Sequence, residues 1–246
     1  MTTTLVTGAT GFLGEHLVRH LQQLKPSDRI IKVTARGVPA TSANTVTLDL
    51  TDTENVTALI RAVRPDRVYH LAGAAKISEE IQFADYFRSN TLTTAVLLNA
   101  LEETKKPVRF FLASSMHIYG NPEETVSEQS PVHPLSPYAF TKYLAEETVK
   151  NFTSRWKDLS AVVGRLYSCF GPGQALGYVS ADLCKKIVEL PEGPEAVLKT
   201  GPLSPYRRFI DVRDAVQIFP KLIESDLPSR YEIFNVASTH EMRVQE

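Results

Sequence analysis

The sequence predicts an α/β protein built on a doubly wound parallel sheet, and two observations carry this prediction. Apolar, β-branched runs alternate with helical patterns along the 246 residues, which is typical of parallel strands joined by right-handed helical crossovers. The first apolar run leads through glycines at three-residue spacing directly into a helical pattern. We therefore expect a Rossmann-type doubly wound parallel sheet with a small C-terminal substrate lobe.

The predicted elements alternate along the whole chain. We expect strands at residues 3–7, 29–35, 45–50, 67–72, 108–113, 159–166 and 233–236, and helices at about 12–24, 53–63, 83–104, 138–156, 179–190 and 212–224. In such a sheet, ligands bind beyond the carboxyl ends of the strands. We expect residues 1–170, completed by 207–239, to form a nucleotide-binding domain. Residues 171–206 would form the small lobe, with the C-terminal remainder of that lobe absent.

The composition is that of an ordinary globular domain. Hydrophobic residues make up 43%, charged residues 22%, and the net charge is −1, which gives no electrostatic reason to expect nucleic acid or an anionic membrane as a partner. No apolar run reaches membrane-spanning length, and the first strand follows no leader, so we expect a cytoplasmic protein. The two cysteines, Cys169 and Cys184, make no disulfide framework and fit a reducing compartment.

The glycine turn after the first strand is suited to a pyrophosphate. Gly8 and Gly11 allow a tight turn close to a ligand, and Gly14 lets the helix pack against the strand. The turn gathers free N–H groups and the positive end of a helix dipole at one point. The alternative is a glycine-rich turn that binds nothing, because the spacing differs from G-x-G-x-x-G. The cofactor contacts expected here come from Gly8, Thr10, Gly11, Phe12, Leu13 and Gly14.

Residues that follow the second and third strands would meet the adenosine half of a dinucleotide. Arg36 stands where NAD sites usually carry an acid, so its guanidinium would pair with a 2′-phosphate, unless it is a solvated surface arginine. Asp49, followed by Leu50, would accept from the adenine amino group, whereas Asp52 would cap the next helix.

The fourth strand and the helix after it would approach the rest of the cofactor. Small residues let a cofactor come close, and the expected contacts are Leu71, Ala72 and Gly73, with Asn90 from the helix at 83–104. His70 is expected to be a packed strand residue rather than a catalyst. His16 and His20 have zinc-site spacing but lack the glutamate of H-E-x-x-H, so we expect no metal site.

A tyrosine and a lysine open the helix at 138–156. Tyr138 and Lys142 are one turn apart and share a face. Lowering the pKa of tyrosine from about 10 to about 7 takes about 4 kcal/mol, and an ammonium at roughly 4 Å supplies about that much at an effective dielectric of about 20. Tyr138 could therefore exchange protons with a substrate oxygen, to which Ser115 would donate a hydrogen bond. A hydrolase role for Ser114 or Ser115 lacks the surrounding nucleophile elbow.

Two further residues would contact the substrate. Ser168 follows the sixth strand, where the chain enters the predicted lobe. Arg207 precedes the helix at 212–224 and could clamp a diphosphate, unless it belongs to an exposed arginine pair.

These residues together resemble the extended short-chain dehydrogenase/reductases of the NAD(P)-dependent epimerase/dehydratase group. The resemblance covers essentially the whole chain and depends on the glycine turn, Ser115, the Tyr138/Lys142 pair and residues 170–174 and 207–214. Within this group, residues 171–174 with 177–179, and residues 209–214, are most similar to GDP-4-keto-6-deoxy-D-mannose reductases. Asparagine is usual in the group where this chain has Ser168, and members continue past residue 246.

The resemblance implies reduction of a 4-keto-6-deoxy nucleotide sugar, with NADPH preferred and NAD also accepted. Tyr138 would protonate the alkoxide, Lys142 would hold the cofactor ribose and tune Tyr138, and Ser115 would polarise the carbonyl. A homodimer would form through the helices at 83–104 and 138–156. The alternatives are a nucleotide-sugar epimerase or other carbonyl/alcohol oxidoreductase of this family, and a non-catalytic NAD(P)-binding regulatory subunit. Dehydration is disfavoured, because Met116-His117 replaces the Asp-Glu pair of related 4,6-dehydratases.

Overall fold

A seven-stranded parallel sheet forms the centre of the computed structural model, which describes residues 1–35, 44–78, 80–122, 125–191, 193 and 197–245. The strands are β1 (Thr3–Thr7), β2 (Arg29–Thr34), β3 (Thr45–Thr47), β4 (Arg67–His70), β5 (Val108–Ser115), β6 (Leu159–Leu166), β7 (Ser168–Phe170), β8 (Tyr206–Arg207), β9 (Phe209–Asp211), β10 (Tyr231–Val236) and β11 (Met242–Arg243). The order across the main sheet is β10-β6-β5-β4-β1-β2-β3, and every neighbouring pair is parallel. The predicted fold class is confirmed. The strand order reverses between β1 and β4, which is where ligands bind in such sheets.

Helices cover both faces of the sheet. They are α1 (Phe12–Leu24), α2 (Thr53–Val63), α3 (Phe83–Tyr86), α4 (Thr93–Glu103), α5 (Pro137–Arg155), α6 (Val179–Val188) and α7 (Val212–Glu224). Alternate residues of β5 enter opposite cores: Phe110 packs with residues of α2, α4 and α5, and Phe111 packs with residues of α1 and α7. This alternation follows from the two-residue period of a strand and requires apolar residues on both sides.

Local capping explains where the helices start. Ser136 accepts a hydrogen bond from the N–H of Ala139 at 3.1 Å, and Pro137 takes the first helical position of α5. Asp52 accepts from the N–H of Asn55 at 3.2 Å and so caps α2, as the sequence predicts.

Several predicted boundaries are wrong in ways that matter for the site. The strand predicted at 108–113 continues to Ser115, so this serine is the last residue of β5 and lies at the carboxyl edge of the sheet. The helix predicted at 83–104 is divided by a π-helical turn, Phe87–Leu92, between α3 and α4. Turns of this kind widen a helix by one residue and are frequent at functional sites. Strands predicted to reach residues 35, 50 and 72 end at Thr34, Thr47 and His70, where the chain leaves the sheet.

Among the residues that the structure describes, two short strand pairings lie outside the main sheet. β7 pairs with β9 in parallel, and β8 pairs with β11 in antiparallel orientation. Across the described ranges, none of the helices combines the length and the apolar character that crossing a membrane demands.

Candidate active site

The glycine turn between β1 and α1 packs closely against the neighbouring backbone. Gly8 has φ +66°, and a Cβ there would lie 2.8 Å from the backbone nitrogen of Ala72. A Cβ on Gly14 would lie 2.0 Å from the carbonyl oxygen of Gly8, so α1 can approach the turn only with glycine at this position. Within the described chain, no side chain caps α1 at Gly11. The first N–H groups of α1 are therefore available to an anion.

Gly73, Asn90 and Lys142 converge beyond the end of β4. Gly73 has φ +153°, and a Cβ there would lie 2.4 Å from Asn90 Oδ1 and 3.2 Å from Lys142 Nζ. Asn90 donates to Thr141 Oγ1 at 3.1 Å, while its buried Oδ1 has no hydrogen-bond partner among the described residues. Lys142 donates one hydrogen to the carbonyl oxygen of Ala113 at 3.0 Å and has further hydrogens to donate. An acceptor and a donor thus stand together, which suits a hydroxyl-bearing ligand.

The end of β3 holds the predicted adenine contacts. Asp49 Oδ1 accepts from the N–H and the hydroxyl of Thr51, at 2.9 and 2.7 Å. Arg88, from the π-helical turn, donates to Thr51 Oγ1 at 2.8 Å and lies 3.6 Å from Asp49 Oδ2. The sequence reasoning missed Arg88, because its partners are distant in sequence. Arg36, predicted to bind a 2′-phosphate, lies outside the described residues.

Tyr138 lies next to Ser115 in an aromatic environment. The Tyr138 side chain is 7% exposed, and its ring meets the rings of Tyr86 and His117 edge to face, each at 6.0 Å between centroids. Ser115, at the end of β5, accepts from the N–H of His117 at 3.3 Å and is near enough to lower the pKa of the Tyr138 phenol. The structure therefore brings the two predicted side chains together at the carboxyl edge of the sheet.

The predicted lowering of the Tyr138 pKa by Lys142 is wrong. Burial raises the pKa of Tyr138 to about 12, and the neighbouring hydroxyl of Ser115 only partly opposes this increase. The cost of burying a phenolate exceeds the electrostatic stabilisation that the site gives it, because the ammonium of Lys142 donates to the carbonyl oxygen of Ala113. Tyr138 is consequently protonated at neutral pH.

Burial also acts on Lys142. It lowers the pKa of the ammonium to about 8, and the charge of Glu146 opposes the shift. Lys142 is therefore mostly charged at neutral pH and loses its proton in mildly alkaline solution.

His70 is a packed residue of β4, as the sequence predicts. Its ring bonds Thr7 Oγ1 at 2.7 Å and Thr94 Oγ1 at 3.1 Å, and burial lowers its pKa to about 3. The imidazole is neutral at neutral pH and is fully engaged in holding β1, β4 and α4 together.

The two predicted substrate residues occupy different positions. Ser168 begins β7 and pairs with Phe209 of β9. Arg207 is exposed in β8. Burial lowers the pKa of His117, whose ring contacts Tyr138, and the charge of Arg207 adds to this shift. Arg207 is therefore close enough to act electrostatically on His117, which is a neighbour of Tyr138. Sequence reasoning missed Tyr86 at this site because tyrosine on a helix carries no functional signal by itself.

Two features of the site suit a dinucleotide cofactor. The uncapped start of α1 suits its pyrophosphate, and the unpartnered Asn90 Oδ1 beside the Lys142 ammonium suits a ribose hydroxyl. Fold and site define an NAD(P)-dependent oxidoreductase with a Rossmann-type sheet.

Comparison with known proteins identifies the family. The model of the NAD dependent epimerase/dehydratase family matches residues 4–237, so the chain belongs to this family. GDP-6-deoxy-D-mannose reductase of Pseudomonas aeruginosa is 30% identical over 250 residues, covering 98% of this chain and 76% of the reductase. GDP-mannose 4,6-dehydratase of Vibrio cholerae is 27% identical over 189 residues, covering 75% of this chain and 50% of the dehydratase.

A solved structure supports the same placement. The structure of MoeE5 in complex with UDP-glucuronic acid and NAD superposes with a TM-score of 0.84 at 28% identity and covers 99% of this chain and 79% of that one. The resemblance to the epimerase/dehydratase group is thereby confirmed, as is the prediction of an NAD(P)-dependent oxidoreductase. The relatives are nucleotide-sugar enzymes with differing reactions, and the chain spans about half the length of the dehydratase.

Proposed function

We propose that this protein reduces the 4-keto group of a 4-keto-6-deoxy nucleotide sugar similar to GDP-4-keto-6-deoxymannose, with NADPH as the reductant. The observation that carries the proposal is the buried phenol of Tyr138 beside Ser115 at the carboxyl edge of the sheet. The similarity to a GDP-6-deoxy-D-mannose reductase supports the choice of substrate. Dehydration is not favoured, because His117 offers an imidazole where elimination needs a carboxylate.

The cofactor would lie along the carboxyl edge of the sheet. Its pyrophosphate would take the turn at Gly8, Thr10, Gly11, Phe12, Leu13 and Gly14, its adenine would meet Asp49 and Leu50, and the remaining contacts would come from Leu71, Ala72, Gly73, Asn90, Tyr138 and Lys142. When bound, the reduced nicotinamide supplies the hydride that the carbonyl carbon accepts. Lys142 donates to the ribose, and Asn90 Oδ1 accepts from it.

Two hydroxyl groups of the chain act on the carbonyl oxygen. Ser115 donates a hydrogen bond that stabilises negative charge on this oxygen as the carbon is reduced. Tyr138 then transfers its proton to the same oxygen, which completes the alcohol. The phenol needs no prior protonation step, because its pKa is raised to about 12. Arg207 would pair with the diphosphate and Ser168 would contact the sugar.

The partner we propose is a second copy of this chain. Phe83 and Phe140 are 46% and 42% exposed, and with Phe87 they form an aromatic cluster across α3, the π-helical turn and α5. Exposed apolar clusters of this kind mark protein interfaces. Sedimentation should therefore give a homodimer, and a monomer at micromolar concentration would contradict the proposal.

A screen of 4-keto nucleotide sugars tests the proposed reaction. NADPH absorbance should fall on addition of a GDP-linked 4-keto-6-deoxy sugar, and the product should be the 6-deoxy alcohol. An epimerase would convert a nucleotide sugar without net loss of NADPH, which is the second candidate because MoeE5 was solved with UDP-glucuronic acid and NAD. The absence of both activities, with cofactor still bound, would point to a regulatory subunit.

Replacing Arg36 with Asp should reverse the cofactor preference. The guanidinium is expected to pair with the 2′-phosphate of NADPH, whereas an aspartate would repel that phosphate and accept from the ribose hydroxyls of NADH. Fluorescence titration should show tighter binding of NADPH by the natural protein and of NADH by R36D. An unchanged ratio of the two affinities would defeat the role assigned to Arg36.

Replacing Gly73 with Ala should weaken cofactor binding by about tenfold or more. The added methyl group would meet Asn90 Oδ1 at 2.4 Å and push away the amide that faces the ribose. Gly193 is a matched control, since it has a similar φ of +139° and nothing within 4 Å of an added Cβ. Titration calorimetry with NADPH should separate the two variants, and equal affinities would show that Asn90 does not contact the cofactor.

A further inference from the structure

The buried face of α5 carries a third functional group beyond Tyr138 and Lys142. Glu146 continues their four-residue spacing by one more turn, and it is 1% exposed. A buried carboxylate is costly unless it is paired and fully hydrogen-bonded. The hydrogen bonds and the ion pair of Glu146 therefore indicate the role of its carboxylate.

Glu146 joins α5 to two neighbouring strands. Its carboxylate accepts from Arg165 Nη2 at 2.7 Å and from Arg165 Nε at 3.2 Å, and it also accepts a short hydrogen bond from the hydroxyl of Ser114. Ser114 of β5 and Arg165 of β6 are direct neighbours in the sheet. Ser114 immediately precedes Ser115, so the carboxylate fixes the strand that presents Ser115 relative to the helix that presents Tyr138.

The guanidinium of Arg165 also forms hydrogen bonds on the side that faces away from Glu146. Its Nη1 donates to the hydroxyl of Tyr119 at 2.8 Å, and that hydroxyl donates to Asn235 Oδ1 of β10 at 2.8 Å. Arg165 is thus engaged on both sides. Because rotation of either side chain would break several buried hydrogen bonds, the position of the Glu146 carboxylate is well determined.

Glu146 is also the negative charge that acts on Lys142. In the part of the chain that the structure describes, two titratable groups near the ammonium are neutral at neutral pH: Tyr138 one turn earlier on α5, and His70 of β4. Asn90 and the Ala113 carbonyl lie near the ammonium and carry no charge, and Arg165 lies beyond Glu146 as its ion-pair partner. Glu146 raises the pKa of Lys142 against the effect of burial.

We propose that Glu146 is a positioning residue with two effects on the reaction: it keeps Ser115 in register with Tyr138, and it keeps Lys142 charged so that the lysine can hold the cofactor ribose. This rests on the proposed function for the roles of Ser115 and Tyr138. The effect on Lys142 concerns cofactor binding alone and can be tested without any sugar substrate.

The test compares three variants by NADPH affinity and by kcat across a pH range on both sides of 8, which is about the pKa of Lys142. Glu146→Gln keeps the shape but removes the charge, so the pH above which NADPH affinity declines should move at least about one unit lower. Glu146→Asp keeps the charge, so that pH should stay close to that of the natural protein. Its kcat should fall about tenfold or more, because the shorter side chain cannot reach both Ser114 and Arg165. Glu147→Gln changes the next residue of α5, which is half-buried and lies 3.9 Å from Lys150, and it should change neither quantity.

A merely structural role gives different results. In that case E146Q would lower kcat or thermal stability, yet the alkaline decline of NADPH affinity would stay at the natural pH, which overturns the effect on Lys142. Should E146Q fail to fold, E146D still tests the effect on the position of Ser115 and can contradict the charge effect. A decline in E146D that has moved by a full unit contradicts the charge effect, and an unchanged kcat contradicts the effect on register. If no sugar is reduced, the affinity profiles still decide the effect on Lys142.

Discussion

Phe at position 138 should lower kcat by about 10²- to 10⁴-fold, which is the usual contribution of a positioned general acid. The phenol is the group that we propose gives its proton to the carbonyl oxygen, and a phenyl ring fills the same space without a proton to give. The ring contacts with Tyr86 and His117 do not involve the hydroxyl, so the fold should persist. NADPH affinity should remain nearly unchanged.

Steady-state kinetics and fluorescence titration with NADPH check both halves of this prediction. Tyr143→Phe is the matched control, because Tyr143 lies on the same helix in a half-buried position away from the predicted pair. A Y138F enzyme that retains a tenth of the natural kcat would show that another group delivers the proton. A large loss of NADPH affinity would instead show that the hydroxyl mainly binds the cofactor.

The pKa of Tyr138 shows where sequence reasoning stops. A four-residue spacing places Tyr138 and Lys142 on one face of a helix, and both are buried on α5. The spacing contains no information about burial depth or about the direction of the ammonium, which points to the Ala113 carbonyl. Burial raises the pKa of the phenol instead of allowing the expected decrease. The proton transfer by Tyr138 stays a prediction, and the group that would perform it is a phenol already protonated at neutral pH.

Local chemistry explains which parts of the fold were predictable. The turn at Gly8, the Asp52 cap and the Ser136-Pro137 start of α5 each depend on a few consecutive residues. The π-helical turn at Phe87–Leu92 leaves no such pattern, because the apolar spacing on either side is that of an ordinary helix. Arg88 reaches Asp49 across many residues, and only the folded chain brings them together.

The ion pair of Glu146 and Arg165 was unpredictable for the same reason, and it should produce the largest effect on stability. Replacing Arg165 with Met should lower the free energy of unfolding by about 3–5 kcal/mol, the usual cost of leaving one partner of a buried pair uncompensated. Arg165 is 3% exposed and Glu146 is 1% exposed, so water cannot replace the lost contacts. Urea denaturation followed by circular dichroism measures this difference.

Replacing both Glu146 and Arg165 separates the destabilisation caused by one unpaired buried charge from the contribution of the ion pair to stability. Glu146→Leu combined with Arg165→Met removes both charges and fills the space with apolar side chains, so much of the lost stability should return. The double variant should nevertheless bind NADPH less well above neutral pH, because no carboxylate then supports the charge of Lys142. Stability that stays as low as in R165M would mean that the hydrogen bonds to Ser114 and Tyr119 stabilise the fold more than the charges do. Recovered stability with weakened cofactor binding would mean that this pair is kept for the site rather than for the fold.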